Sequence, residues 1–484
     1  MKAYLGIDLG TTNLKAALYD ENLAPMDSES FPVDYVREGS LVEFDAQRCF
    51  DGLMDMVAAL VRRCGVTEIP ALALTGQAET LLLLDGAGEP LCNAISWMDE
   101  RSEAECALLG RRFSPAQVEA VTGQLSVLPT WPATKLLWLR QHRPELFARA
   151  KTFALLKDWV AFRLTGRLAA DMSIATFSLW FDIYEKRYWS DMLDTLEIGP
   201  ERLAPLAEPC SLLGELLPSL SRRLGIVPGT LVNLGTLDHF AGMIGTGATR
   251  PGKVTLSTGT VMALAAMTDE PAPKGSGVAM HYGFRPDTHV MLPVVESGGV
   301  SLEWFKNACM PGMTYDALNA ALDRRGESDI LFLPNIVGTN APAFDPDATG
   351  VFWGLRRRHD AVDMAGAVMK GVSFVLRENC DALRASGTPI DEIIATGGGA
   401  RSPYWCRLHA DITGVPVSVP AEKEAACLGA AIIAAVSGGR FESFEAAARQ
   451  CIRMAHTYQP GDRREEQYRR FEKLYRAALG VSRG

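Results

Sequence analysis

Gly6-Ile7-Asp8-Leu9-Gly10-Thr11-Thr12-Asn13-Leu14-Lys15-Ala16 is the stretch on which the reading of the whole chain turns. An apolar run from Tyr4 to Ile7 ends in a carboxylate, Asp8. Gly10-Thr11-Thr12 supplies a turn, and Leu14 to Tyr19 resumes a strand. The pattern is a β-hairpin with a loop fit for phosphate. Glycine lets the backbone come close, while hydroxyls and N–H groups donate to anionic oxygens. Asp8, at a strand end beside that loop, suits Mg²⁺. Taken singly, a turn-capping aspartate is the plainer reading.

Two more loops of this kind lie downstream. Ser257-Thr258-Gly259-Thr260 separates the strand-like Lys253–Ser257 from Val261–Ala265, so the opening hairpin recurs in type. Gly397-Gly398-Gly399-Ala400 follows a strand over Ile390–Ala395. One Gly-Thr turn is ordinary hairpin punctuation. Three, each at a strand end, together with a second strand-end acid at Asp238, form a pattern. Asp238 could take the proton of an attacking hydroxyl. Its plainer role is an N-cap. Gly247-Ala248-Thr249-Arg250-Pro251-Gly252-Lys253 has the spacing of a nucleotide P-loop. However, Val254 stands where Ser or Thr is needed, and the lysine leads into a strand. It reads as a turn.

Between these loops, strands and helices alternate, which predicts an α/β fold. Asp45 caps a helix carrying Phe50, Leu53, Met54, Val57, Leu60 and Val61 on one face, stopped near Gly65. Ala71–Leu74 is a buried strand running into Thr75-Gly76-Gln77. Helical spacing returns at Lys135–Arg140, Glu145–Ala150, Met364–Leu383 and Arg463–Arg476. The second hairpin puts a domain boundary between 240 and 255, giving domains at 1–245 and 246–484.

The 484 residues carry a net charge of −10. An acidic surface repels phosphate backbones, so no nucleic-acid partner is expected. No apolar run is long enough for a bilayer, and the first residues enter a strand without a leader, which together predict a cytoplasmic protein without a membrane partner. Ten cysteines lie singly and never as CxxC. That pattern argues against a disulfide framework and against a zinc site.

Taken together, these residues resemble the FGGY carbohydrate kinases, which include xylulose, gluconate and glycerol kinases. The resemblance spans roughly residues 3 to 440. The opening loop looks like the family's first phosphate loop, Ser257-Thr258-Gly259-Thr260 its second, and Gly397 to Ser402 its adenosine motif. Asp238 falls at the catalytic-base position. Thr75-Gly76-Gln77-Ala78-Glu79 and Trp97-Met98-Asp99-Glu100-Arg101 look like the sugar-binding segments. Ala78 replaces the Met or Arg of many members, and Glu79 stands where xylulose kinases often have His.

The resemblance implies two ribonuclease H-like (actin-like ATPase) domains with a cleft between them. ATP and Mg²⁺ are the implied cofactors, and the implied reaction phosphorylates a hydroxyl of a small sugar or polyol, with a ketopentose such as xylulose first by family prevalence. Asp8 and Asp238 would meet the metal, and Asp238 would be the base. Gly10, Thr11, Thr12, Asn13, Lys15, Thr258, Gly259, Thr260, Gly398, Gly399, Ala400 and Ser402 would bind the nucleotide. Gln77, Glu79, Asp99 and Arg101 would bind the sugar. Trp97 reads as core packing, and Asn340 and Asp345 as loop polarity near the nucleotide. A homodimer is the assembly common in the family. The alternative is a sugar-sensing or ATP-binding scaffold of the same superfold; the presence of both Asp238 and Glu79 argues against it.

Overall fold

Two mixed sheets are each built on a hairpin whose first strand pairs in parallel with a later strand. The computed structural model describes residues 1–339, 341, 345, 347–422 and 424–482. In the first sheet the strands are β1 (Tyr4–Leu9), β2 (Asn13–Tyr19), β3 (Pro25–Pro32), β4 (Ala71–Gly76), β5 (Leu212–Glu215) and β6 (Leu231–Leu237), in the order β5-β6-β4-β1-β2-β3. β1 is antiparallel to β2 and parallel to β4, which is parallel to β6.

In the second sheet they are β7 (Gly252–Thr258), β8 (Met262–Thr268), β9 (Met280–Tyr282), β10 (His289–Met291), β11 (Val294–Val295), β12 (Ile390–Thr396), β13 (Val417–Pro420) and β14 (Met454–Tyr458). The order is β9-β10-β8-β7-β12-β13-β14, with β11 beside β8. β7 is antiparallel to β8 and parallel to β12, the same arrangement as β1, β2 and β4. The repeat sensed in the two hairpins is therefore topological. A smaller five-stranded sheet flanks the first and includes Leu81–Leu84 and Thr152–Leu155.

Helices cover the sheet faces. α1 (Ala46–Arg63) starts where Asp45 accepts from the Arg48 N–H, and it buries Phe50, Leu53, Met54, Val57, Leu60 and Val61. α2 (Pro132–His142), α3 (Leu156–Thr165), the short α4 (Met172–Ala175) and α5 (Asp238–Thr246) are among the other helices of the first half. α6 (Gly299–Cys309), α7 (Tyr315–Arg325), α8 (Ala361–Ala385), α9 (Pro403–Thr413), α10 (Ala425–Ser437) and α11 (Glu465–Ser482) belong to the second. The stretch 247–253 leaves α5 and enters β7; Lys253 lies on the strand, 3.3 Å from Glu392. No P-loop forms there. No described helix is long and apolar enough to cross a membrane.

The halves are not simply tandem. α10, from the second half, packs on β1, β4 and β6 of the first sheet and crosses α5. A Cβ on Gly429 would lie 1.8 Å from the Ala241 carbonyl oxygen, and one on Gly245 would lie 1.9 Å from that of Ala425. Only glycine permits so close a crossing. The boundary expected after residue 245 falls in the last turn of α5. A second bridge lies farther out, where the Gly275 N–H donates to Glu119 at 2.7 Å and that of Tyr282 to Thr176 at 3.4 Å.

Candidate active site

Three strands of the first sheet end in one row. Asp8 pairs with Thr75, Leu9 and Leu237 both pair with Gly76. Asp8, Gln77 and Asp238 thus leave adjacent strand ends, at the edge of an α/β sheet where ligands bind. Asp238 opens α5 as its first residue, with Leu237 as the cap, so its carboxylate meets the positive end of the helix.

Asp8, Asp238, His239, Lys15 and Glu424 line one cavity of about 290 Å³. Burial, then the charge of Asp238, push the Asp8 carboxyl up to about 7. Its Oδ1 is buried and receives no hydrogen bond among the described residues. An unpartnered carboxylate oxygen facing a second acid fits a divalent cation, which would offset both charges. His239 holds Asp238 through its backbone N–H at 2.6 Å and its Nδ1 at 3.0 Å. Burial opposes charge on that imidazole, but Asp238 and Asp8 outweigh it and hold its pKa above the ordinary value. Lys15, on β2, pairs with Glu424 at 2.6 Å. Lys15, expected on the nucleotide, lines the cavity and its ammonium ties the first domain to the loop before α10.

A second cavity, of about 470 Å³, is lined by Thr258, Gly259, Thr260, Gly398, Gly399 and Ser402, with Tyr315, Asn319 and Trp405 opposite. Ala400 is not among its lining residues. The neighbours Ser257 and Gly397 line the smaller cavity, so both spaces open on the same two loops. Ser402 caps α9 by accepting from the Trp405 N–H at 3.1 Å, and its hydroxyl donates to Asn319 at 2.6 Å. Gly10, Thr11, Thr12 and Asn13 sit at the β1–β2 turn. The Thr11 carbonyl accepts from the Tyr35 hydroxyl at 2.8 Å, and its Oγ1 from the Trp97 indole at 3.0 Å. Trp97 is 38% exposed, so it clasps the loop instead of filling the core as expected. Asn340 lies outside the described residues; Asp345 exchanges backbone hydrogen bonds with Thr339.

The four residues expected to hold a sugar divide in two. Gln77 is buried, donating to the Gly10 carbonyl at 3.3 Å and accepting from Thr80 at 2.9 Å. Glu79 holds a left-handed backbone (φ +65°), and burial raises its carboxyl against the pull of Lys135 and Thr130. Strain in a non-glycine residue is retained where the surroundings hold it, and sites are where it collects. Asp99 and Arg101 behave differently. Asp99 is fully buried, and its carboxylate accepts from the Val42 N–H (2.6 Å), the Arg101 N–H (3.1 Å), Nε (2.8 Å) and Nη2 (2.7 Å). Four donors fill both oxygens. Arg101 also reaches Glu43 at 2.6 Å and lies over Trp138. The pair expected to touch sugar instead staples the 96–101 turn to the flanking sheet.

Residues without a motif complete the site. Lys157 is wholly buried; it pairs with Asp171 at 2.9 Å and donates to the Leu234 carbonyl at 2.6 Å. Ser173 donates to Asp171, shares a hydrogen bond with Thr236 at 2.8 Å and accepts from the Leu237 N–H at 3.2 Å. β6 needs this support because its register slips between Asn233 and Thr236. There Gly235 adopts φ +70°, and a Cβ would sit 1.5 Å from the Leu74 oxygen.

The comparisons agree with this geometry. The model for the FGGY family of carbohydrate kinases, N-terminal domain, matches residues 3–245, and that for the C-terminal domain matches 253–438. The Escherichia coli (strain K12) xylulose kinase is 33% identical over 85% of this chain and 85% of its own length. The gluconokinase of Bacillus subtilis (strain 168) is 26% identical over 97% of this chain and 94% of its own. A crystal structure described as a xyloylose kinase from Brucella ovis superposes with a TM-score of 0.91 at 30% identity, covering 99% of this chain and 100% of that one. Two like domains, a strand-end carboxylate pair and glycine loops facing one cleft are thus those of an ATP-dependent sugar kinase with the actin-like ATPase fold, and the chain belongs to the FGGY family of carbohydrate kinases.

Proposed function

We propose that this kinase phosphorylates a ketopentose such as xylulose by direct in-line transfer from ATP, with Asp238 as the base. One observation carries the reading: Asp8 and Asp238 line a cavity that opens on the same two loops as the larger cleft. A base stacked against Trp405 and Tyr315 would leave the triphosphate to cross Thr258–Thr260 and Gly397–Gly399 toward Asp238. The sugar hydroxyl then loses its proton to Asp238 as its oxygen bonds to the γ-phosphorus, and the bond to the β-phosphate oxygen breaks, releasing ADP. Asp8, with Asp238 behind it, would hold Mg²⁺, which offsets charge on the phosphates when bound. Backbone N–H groups and hydroxyls of the two loops orient the phosphoryl group. Rocking about the α5–α10 crossing would shut out water, which otherwise competes as acceptor. A homodimer, the assembly common in the family, is open to sedimentation.

The test is ADP release with Mg-ATP across ketoses, polyols and sugar acids, each against a blank without sugar. Stimulation by a ketopentose well above the blank supports the reading. A flat panel with intact ATP binding shifts it to an ATP-binding scaffold.

A further inference from the structure

Beyond Glu79 a chamber of about 160 Å³ runs between the two domains. Glu79, Trp131 and Phe177 line it from the first domain, and Val278, His281 and Leu292 from the second. Glu79 lies in the loop two residues past Gln77, and His281 feels the charge of His239, which lines the Asp238 cavity, so the chamber lies next to the Asp8–Asp238 cleft.

Its polar groups are few. Trp131 is 5% exposed, and its indole N–H has no acceptor among the described residues. An orphaned buried donor beside a cavity calls for an explanation, and a ligand oxygen supplies one. Gln124 fixes a second donor. Its amide nitrogen donates to the Thr176 carbonyl at 3.2 Å and lies 3.1 Å from His281 Nδ1. A donating nitrogen makes Nδ1 the acceptor, which leaves the ring proton on Nε2. Burial pushes the His281 pKa down to about 3, and Phe177 stacks on the ring at 4.3 Å, so the imidazole is neutral. The side-chain acceptors of the lining include the Glu79 carboxyl, which burial raises to about 7, and the buried Asn379 Oδ1, unpartnered among the described residues. No Lys or Arg stands among the described lining residues. The nearest cation, Lys135, lies behind Glu79 with its ammonium on the Ser96 carbonyl at 2.7 Å.

We propose that this interdomain chamber is a specificity subsite for the sugar end remote from the phosphorylated hydroxyl, and that it selects a neutral α-hydroxyketone over a carboxylate. The inference rests on the kinase reading above and deepens it. Two neutral donors suit a ketone and a hydroxyl oxygen, and Glu79 accepts from the hydroxyl. A sugar acid would place a carboxylate beside the Glu79 carboxyl, in desolvated space whose nearby cation, Lys135, already serves Glu79.

The experiment compares a 2-ketose, the polyol of equal length and the aldonate of equal length, in wild type, Trp131→Phe and Glu79→Gln. Turnover is read beside calorimetric binding of each compound, and melting curves confirm folding. In wild type the ketose exceeds the aldonate in kcat/KM by about a hundredfold. Trp131→Phe raises the ketose KM and Kd about tenfold, leaves the ATP KM alone and brings ketose and polyol level. Glu79→Gln narrows the gap between ketose and aldonate. An aldonate that binds as well as the ketose, or a Trp131→Phe variant that weakens all three alike, overturns the subsite. Ketose binding that depends on Trp131 without any turnover keeps the subsite and removes the kinase reading instead.

Discussion

The ammonium of Lys157 donates to the carbonyl oxygen of Leu234 at 2.6 Å, inside the bulge that delivers Asp238 to the cleft. Lys157→Met keeps the volume of the stem but frees that carbonyl and leaves Asp171 buried without its cation. The expected result is a kcat lowered about a hundredfold, with the ATP KM within twofold of wild type. Ser173→Ala, which removes the acceptor for the Leu237 N–H, should show the same pattern more weakly. Steady-state kinetics with both substrates varied checks this: equal losses in both KM values and an unchanged kcat would count against the positioning role.

Asp238→Asn removes the base while keeping the side chain's shape. Turnover should fall on the order of a thousandfold with ATP affinity nearly intact, measured by kinetics and calorimetry. Wild-type turnover in this variant would refute the assignment.

Asp99→Asn tests the staple. The amide offers a donor where four donors already converge, so the 96–101 turn loosens. A melting temperature lower by about 3 °C is expected, with kcat lowered in parallel for every accepted sugar. A selective rise in one sugar's KM, at unchanged stability, would restore Asp99 as a direct contact.

Glu378, on α8, is raised to about 8 by burial, then by the neighbouring Glu472 and Asp381. The folded state binds this proton more tightly than the unfolded one. Its contribution is therefore complete below the unfolded carboxyl pKa and declines as pH rises toward 8. Glu378→Gln, which never ionises, should melt about 2 °C above wild type at pH 8 and level with it near pH 4. Calorimetric scans across that range decide it.

Much of the architecture could be read ahead of the structure. The α1 face, the two hairpins and the three glycine loops are local patterns whose periodicity and turn chemistry are written in consecutive residues. Asp8 and Asp238 stood out because acids at strand ends beside glycine are a positional signal. Lys157 and Ser173 gave no such signal: a buried lysine looks like any lysine until the bulge it serves is seen. Asp99 and Arg101 were the right residues to notice, but only the convergence of four donors shows that no lone pair is left for a sugar. Trp97 misled because indoles are usually interior. The passage of α10 onto the first sheet follows from no local pattern, since its apolar sequence states that it is buried but not against what.

That passage bears on how the chain is made. The face of the first sheet over β1, β4 and β6 awaits a helix that ends at Ser437. On a ribosome adding about 5–20 residues per second, the roughly 190 residues between the end of β6 and the start of α10 take on the order of 10–40 s to appear. Through that interval the nascent first domain exposes an apolar surface with no partner in reach. Cutting the polypeptide at its domain boundary would make the exposure permanent, so the amino-terminal half alone should be a client for chaperones.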